Sequence, residues 1–207
     1  MSSIGYVWFI TALVMSILTA TQAVGQRDCT LKREKADLKV YTCDSGDEKL
    51  KTLSATFILE NTSFEKLINF MEDIDNYVNW QYNTIESRIL HKTGRRSTVY
   101  RVVVDAPWPV SDRELITEIT LQYDSVAQTL LITNHSAAYD YPASENLVRV
   151  PFSEGIMHVA SFNGSSLKIN YTFRIDPGGS VPAWLINAAM AEGPFYSFTK
   201  LKEKLQQ

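Results

Sequence analysis

The stretch SLKINYTFRIDPGGSVPAWLINAAMAEGPFYSFTKLKEKL, residues 166–205, changes its hydrophobic period partway along, and that change decides the fold. In its first part Leu167, Ile169, Tyr171, Phe173 and Ile175 alternate with Lys168, Asn170, Thr172, Arg174 and Asp176, the period of a strand with one apolar and one wet face. Pro177-Gly178-Gly179 ends the strand, and Ser180 is placed to cap a helix. Val181, Trp184, Leu185, Ala188 and Ala189 recur at helical spacing, Gly193-Pro194 predicts an interruption or kink, and Phe198, Leu201 and Leu205 resume the pattern. The chain therefore closes on a long helix whose apolar side needs a sheet to cover it.

Upstream residues supply that sheet. Segments 85–92, 97–106, 114–123, 128–136, 146–151 and 156–162 read as successive strands separated by turn signals, as do two earlier ones, 38–43 and 49–59. Tyr100, Val102 and Val104 share a face against Arg101 and Asp105; Leu115, Thr117, Ile119, Leu121 and Tyr123 oppose Glu114, Glu118 and Gln122. Phe64, Leu67, Ile68, Met71 and Ile74 mark one early amphipathic helix, capped from Asn61-Thr62-Ser63 and running to about Asp75, with Tyr77, Val78 and Trp80 packing at its end. Residues 26–35 fit either a short helix or an extended arm. The expected architecture is α+β: a curved antiparallel sheet gripping the terminal helix, as one domain over residues 26–207.

Bulk properties narrow the functions. The chain has 207 residues, 45% hydrophobic and 21% charged, with a net charge of -3, which disfavours nucleic acid as a partner. The apolar run 4–20, followed by small residues, predicts a signal peptide over residues 1–25 with cleavage near Ala23 or Gly25; an uncleaved anchor is the alternative, because residues 1–10 carry no Lys or Arg. Export to a periplasmic or extracellular space permits the two cysteines, Cys29 and Cys43, to pair as a disulfide. Asn61, Asn134, Asn163 and Asn170 begin Asn-x-Ser/Thr sequons, read as chance occurrences in a compact periplasmic domain. His91, His135 and His158 stand apart from any second ligand, so no metal site is expected. No GxSxG, HExxH or phosphate-cradling glycine motif appears, so no catalytic residue and no cofactor is assigned.

Three stretches resemble motifs of START (steroidogenic-acute-regulatory-related lipid-transfer) domains. They are APWPVSDRE at 106–114 between two central strands, DPGGSVPAWLIN at 176–187 before the terminal helix, and DIDNYVNW at 73–80 after the early helix. They occur in family order, and the likeness covers roughly residues 35–205. The resemblance implies a helix-grip fold with an internal tunnel for a lipid or other hydrophobic molecule, closed by the terminal helix and a loop between strands. Since a ligand must enter, either that helix or the loop around residues 139–146 is expected to open. Tyr100, Val102, Val104, Ile119, Leu121, Tyr171 and Phe173 from the sheet, with Leu185, Ala188 and Ala189 from the helix, are expected to line it; His135 and His158 are candidate polar contacts in its wall.

The buried acid–base pair of the family's sterol carriers aligns with Tyr100 and Ile119, so sterol specificity is not implied. Within the motifs, Trp108 is expected to cover the sheet edge and Asp112 and Arg113 to form a local ion pair. The expected protein is a monomer touching membranes transiently. The same scaffold would also suit a cyclase-like enzyme, or an accessory domain with a filled tunnel. Peptide mapping under non-reducing and reducing conditions is expected to recover Cys29 and Cys43 in one disulfide-linked pair; two free thiols would refute it.

Overall fold

The protein is described here from a computed structural model, which covers residues 28–44, 46 and 50–206. The expected signal peptide and its cleavage positions lie outside the described residues. The strands are β1 (Cys29–Lys35), β2 (Leu38–Cys43), β3 (Lys51–Leu59), β4 (Thr84–Gly94), β5 (Ser97–Val104), β6 (Arg113–Asp124), β7 (Thr129–Ser136), β8 (Val148–Arg149), β9 (Phe152–Phe162) and β10 (Ser166–Asp176). Two α-helices, α1 (Phe64–Glu72) and α2 (Ala183–Leu205), complete the fold with a short 3-10 helix at Ile74–Asn79. The ten strands form one sheet in the order β1-β2-β3-β10-β9-β7-β6-β5-β4, antiparallel except that the short β8 adds parallel to β6. This is the α+β helix-grip architecture.

Residues 29–35, open between helix and arm, form an edge strand. Cys29 pairs with Cys43 across β1 and β2, and the two cysteines form a disulfide. The reversal between them is made by Ala36, which takes a left-handed backbone (φ 54°). Ser63 caps α1 by accepting the Lys66 N–H at 3.2 Å, and Leu67, Ile68 and Met71 are buried. The helix stops earlier than its periodicity suggests because the chain tightens into the 3-10 turn, where the buried Tyr77 hydroxyl donates to the Met71 carbonyl at 2.6 Å. Val78 stays exposed, whereas Tyr77 and Trp80 are buried.

Helix α2 starts at Ala183 with Pro182, not Ser180, at its N-cap, and runs through Pro194 without interruption. Pro194 has no N–H for the Met190 carbonyl, but the loss of one bond does not end a helix held on both sides of the site. The Ser197 hydroxyl donates to Gly193 O at 2.8 Å and accepts the Tyr82 N–H at 3.0 Å, so this turn is tied to the segment before β4. The two halves of α2 differ. Phe198, Leu201 and Leu205 are buried in the core, with the Phe198 ring 4.7 Å from that of Phe57. Lys202 pairs with Asp37 beside them. Residues 184–189 remain partly or largely exposed.

The face of the sheet expected to be wet is not uniformly so. Arg101 and Glu114 point to it and are almost fully buried, at 7% and 1% exposure. Arg101 Nε donates to one Glu114 oxygen, and Arg149 Nε and Nη2 donate to the other at 2.9 and 2.6 Å. Arg149 also donates to the carbonyls of Tyr141 and Pro142, and the Tyr141 ring faces the guanidiniums of Arg88, Arg101 and Arg149 at 5.5, 5.6 and 5.8 Å. This cluster holds the segment between β7 and β8 against the outer face. Burial alone would raise the Glu114 carboxyl, but the bonds from the two arginines outweigh it and hold the group below the usual glutamate range. Its contribution to stability is therefore present at neutral pH and lost as pH falls below about 4. Glu114→Gln, which removes the buried carboxylate shared by Arg101 and Arg149 and leaves Arg101 only its half-exposed partner Glu86, is expected to lower stability by about 3 kcal/mol in urea unfolding at pH 7, with a smaller difference from the parent in acid.

Candidate functional site

The inner face of the sheet turns toward α2, and between them lies a cavity of about 550 Å³. Parity along the strands sets its floor: Tyr100 and Val102 from β5, Leu115 and Thr117 from β6, Ile132 and Asn134 from β7, Met157 from β9, and Tyr171 and Phe173 from β10. Met71 and Trp80 close one wall, and Leu185, Ile186, Ala188 and Ala189 of α2 form the roof. The lining residues still reached by solvent, Asn83, Asp105, Pro107, Ala188 and Ala189, mark a mouth between the loop 106–112 and the first turns of α2. Val110 on that loop and Val181 before α2 line the two sides. Beside them stand two exposed tryptophans, Trp108 at 92% and Trp184 at 69% exposure. Trp108 therefore does not cover the sheet edge.

Polar groups are sparse on the floor. The Tyr100 hydroxyl donates to Asn134 Oδ1 at 3.1 Å. The Tyr171 hydroxyl lies over Gly155, which is paired with Asn134 across β7 and β9 and with Phe173 across β9 and β10. A Cβ on Gly155 would stand 3.0 Å from that hydroxyl, so the glycine makes room for the phenol. Two phenols and a carboxamide thus share one patch of an otherwise apolar wall, able to donate to or accept from a hydroxyl or carbonyl group. Burial pushes both phenols above the ordinary tyrosine range. They are neutral at physiological pH.

Of the residues expected to line a tunnel, Tyr100, Val102, Val104, Tyr171, Phe173, Leu185, Ala188 and Ala189 all line this cavity. Ile119 and Leu121 share the inward face but are buried in the solid core, at the end of β6 where Phe64 of α1 stacks on Tyr123 at 5.0 Å. His135 and His158 do not belong to the wall: both are exposed on the outer face, because each follows directly after an inward-pointing residue of its own strand, Asn134 and Met157. His135 lies 3.5 Å from Glu118 there. Nor does any residue of 139–146 line the cavity, because Arg149 holds that segment outside.

Asn134, Trp80 and Arg113 were not singled out as lining residues. Asn134 could have been found by extending the alternation of Leu130 and Ile132 by one step. Arg113 forms no ion pair with Asp112: Asp112 accepts the Ala106 N–H at 3.0 Å, and Arg113 donates to backbone carbonyls. Among the described residues no group of three or more His, Cys, Asp or Glu side chains is arranged to hold a metal ion, and no helix is long and apolar enough to cross a membrane. Ultraviolet titration of the folded protein is expected to leave Tyr77, Tyr100 and Tyr171 un-ionised beyond pH about 10, so that full tyrosinate absorbance appears only with alkaline unfolding. Complete ionisation in the folded state would refute this.

No family model matches the chain. An uncharacterized protein of Pseudomonas aeruginosa is 22% identical over 199 residues, covering 96% of both chains. START domain-containing protein 10 of human is 27% identical over 124 residues, 59% of this chain and 42% of that protein. Among solved structures, a STAR-related lipid transfer protein from Xanthomonas axonopodis superposes with a TM-score of 0.76 at 22% identity, over 86% of this chain and 99% of that one. Human STARD10 superposes at 0.72 and 22%, over 84% and 71%. An aromatase/cyclase from Streptomyces is more distant, at 0.53 and 10%, over 76% and 94%. The chain thus has the helix-grip fold of the START-related lipid-transfer domains.

Proposed function

We propose that this protein binds, and exchanges with membranes, a hydrophobic small molecule such as a lipid, held in the cavity between the sheet and α2. The observation that carries the reading is the cavity itself: it falls within the size range of small-molecule sites, is mainly apolar, and has one hydrogen-bonding patch at Tyr100, Asn134 and Tyr171. Apolar area removed from water, at about 25 cal/mol per Å², supplies affinity for a chain or ring system. The neutral patch orients one hydroxyl, ester or amide group, because a ligand that left these buried groups without partners would lose their bonds. Ligand-binding roles are accordingly assigned to Tyr100, Val102, Val104, Tyr171, Phe173, Leu185, Ala188 and Ala189, with Asn134 added. The named relatives that transfer lipids support the same reading.

Trp108 and Trp184 on the rim suit the membrane interface, where an indole buries its ring and keeps its N–H near polar groups. Such docking places the mouth against the bilayer and spares the ligand a passage through water. The disulfide supports an exported location. A cyclase-like activity is the weaker reading, because the floor offers neutral phenols and a carboxamide while the histidines lie on the opposite face.

Native mass spectrometry of protein purified from its own host is expected to show a bound amphiphile, released on denaturation. Ala189→Trp, which fills the roof, is expected to weaken ligand binding about tenfold or more with little change in the unfolding midpoint. An empty protein that takes up no lipid from vesicles would overturn the reading.

A further inference from the structure

Arg113 occupies a place that ligand binding alone does not explain. It begins β6 on the rim of the cavity, partly buried, between the two walls of the mouth. Its guanidinium reaches three backbone carbonyls. Nη1 donates to Ser111 O in the loop 106–112, which is one wall. Nε and Nη2 donate to Pro177 O and Gly178 O, at 3.3 and 3.2 Å, in the elbow that leads into α2, the other wall. Among the described residues no carboxylate forms an ion pair with it. Burial lowers its pKa and neighbouring Asp112 offsets that only in part, so the charge is directed onto neutral acceptors.

The elbow is shaped for this grip. Gly178 and Gly179 both take left-handed backbone, at φ 64° and 60°, and the Gly178 N–H donates to Asp176 at 2.9 Å. On its other side a Cβ on Gly178 would meet Pro151 at 3.0 Å and the Arg149 carbonyl at 3.3 Å. Arg149 is itself fixed by Glu114. Consecutive residues of β6 therefore clamp the elbow, Arg113 directly and Glu114 through Arg149.

We infer that Arg113 is a latch across the mouth, a positioning residue that sets how fast ligand enters and leaves rather than how tightly it is held. The inference rests on the reading that ligand passes between loop 106–112 and α2. All three acceptors belong to the protein and none to a ligand, so the latch is expected to stabilise the closed mouth whether the cavity is full or empty. Removing it lowers the barrier to entry and exit alike. Only a guanidinium has the fork of donors to span three acceptors; an ammonium keeps the charge but not the reach, and a carboxamide keeps neither.

The test is stopped-flow binding of a fluorescent long-chain fatty acid to the parent, Arg113→Gln and Arg113→Lys. Arg113→Gln is expected to raise the association and dissociation rates together by about tenfold, with Kd unchanged within about twofold, and Arg113→Lys to fall between. Rates equal to the parent's overturn the latch. So does a weaker Kd carried by dissociation alone, which would make Arg113 a ligand contact. If the Gln variant fails to fold, the Lys variant bears the same comparison. A parent protein that takes up no probe overturns the ligand reading, and the latch with it.

Discussion

The inner face of the ten-stranded sheet carries more apolar surface than one helix can cover, and the rest of the molecule is organised by that mismatch. The C-terminal half of α2 solves it locally. Phe198, Leu201 and Leu205 press against Phe57 and its neighbours, and the Lys202–Asp37 pair ties the same half to the β1–β2 hairpin. The N-terminal half of α2 spans the remaining space without filling it. Phe198 stands at the boundary, packed on Phe57 and, edge-on at 5.1 Å, on Tyr171 of the cavity floor. One helix thus serves as core along part of its length and as roof along the rest.

Charge follows the same division. Tyr100 and Arg101 are adjacent on β5, yet one joins a neutral patch inside the cavity and the other a buried ion cluster on the outer face. A buried guanidinium is tolerated only with its counter-charge and hydrogen bonds in place, and Glu114 and Glu86 supply these outside the sheet, with the Tyr141 ring facing the cation. The floor is left without a formal charge, which favours ligands whose buried part is neutral. At the mouth, the hydrogen-bond partners of Arg113 are carbonyls of the two segments that frame the opening.

Much of this was legible in the chain. The alternation in β5, β6 and β10, the helical recurrence in α1 and α2, and the disulfide between Cys29 and Cys43 all follow from local periodicity and from having two cysteines. The errors have a common physical origin. His135 and His158 were placed in the wall because they are polar residues on strands, although parity puts them outside. Ile119 and Leu121 have inward parity but lie where α1 meets the sheet, which depends on how far the sheet curves before the helix crosses it. Ser180 has the chemistry of a cap, but the chain is still turning through its two left-handed glycines and reaches Pro182 before the helix begins.

The sequence by itself determined most of the strands and both helices, which side of the central strands is apolar, and that a terminal helix must cover the sheet. These depend on side-chain period, a property of near neighbours. Residues 29–35, whose pattern fits helix or arm, were settled only by pairing with β2. Only the tertiary structure decided where the apolar face is packed and where it encloses space, that Asn134 joins Tyr100 and Tyr171 at one patch, and that Arg113 bridges the two walls of the mouth. Those juxtapositions unite residues on different strands and loops. They are set by register and by sheet curvature, which no local pattern encodes.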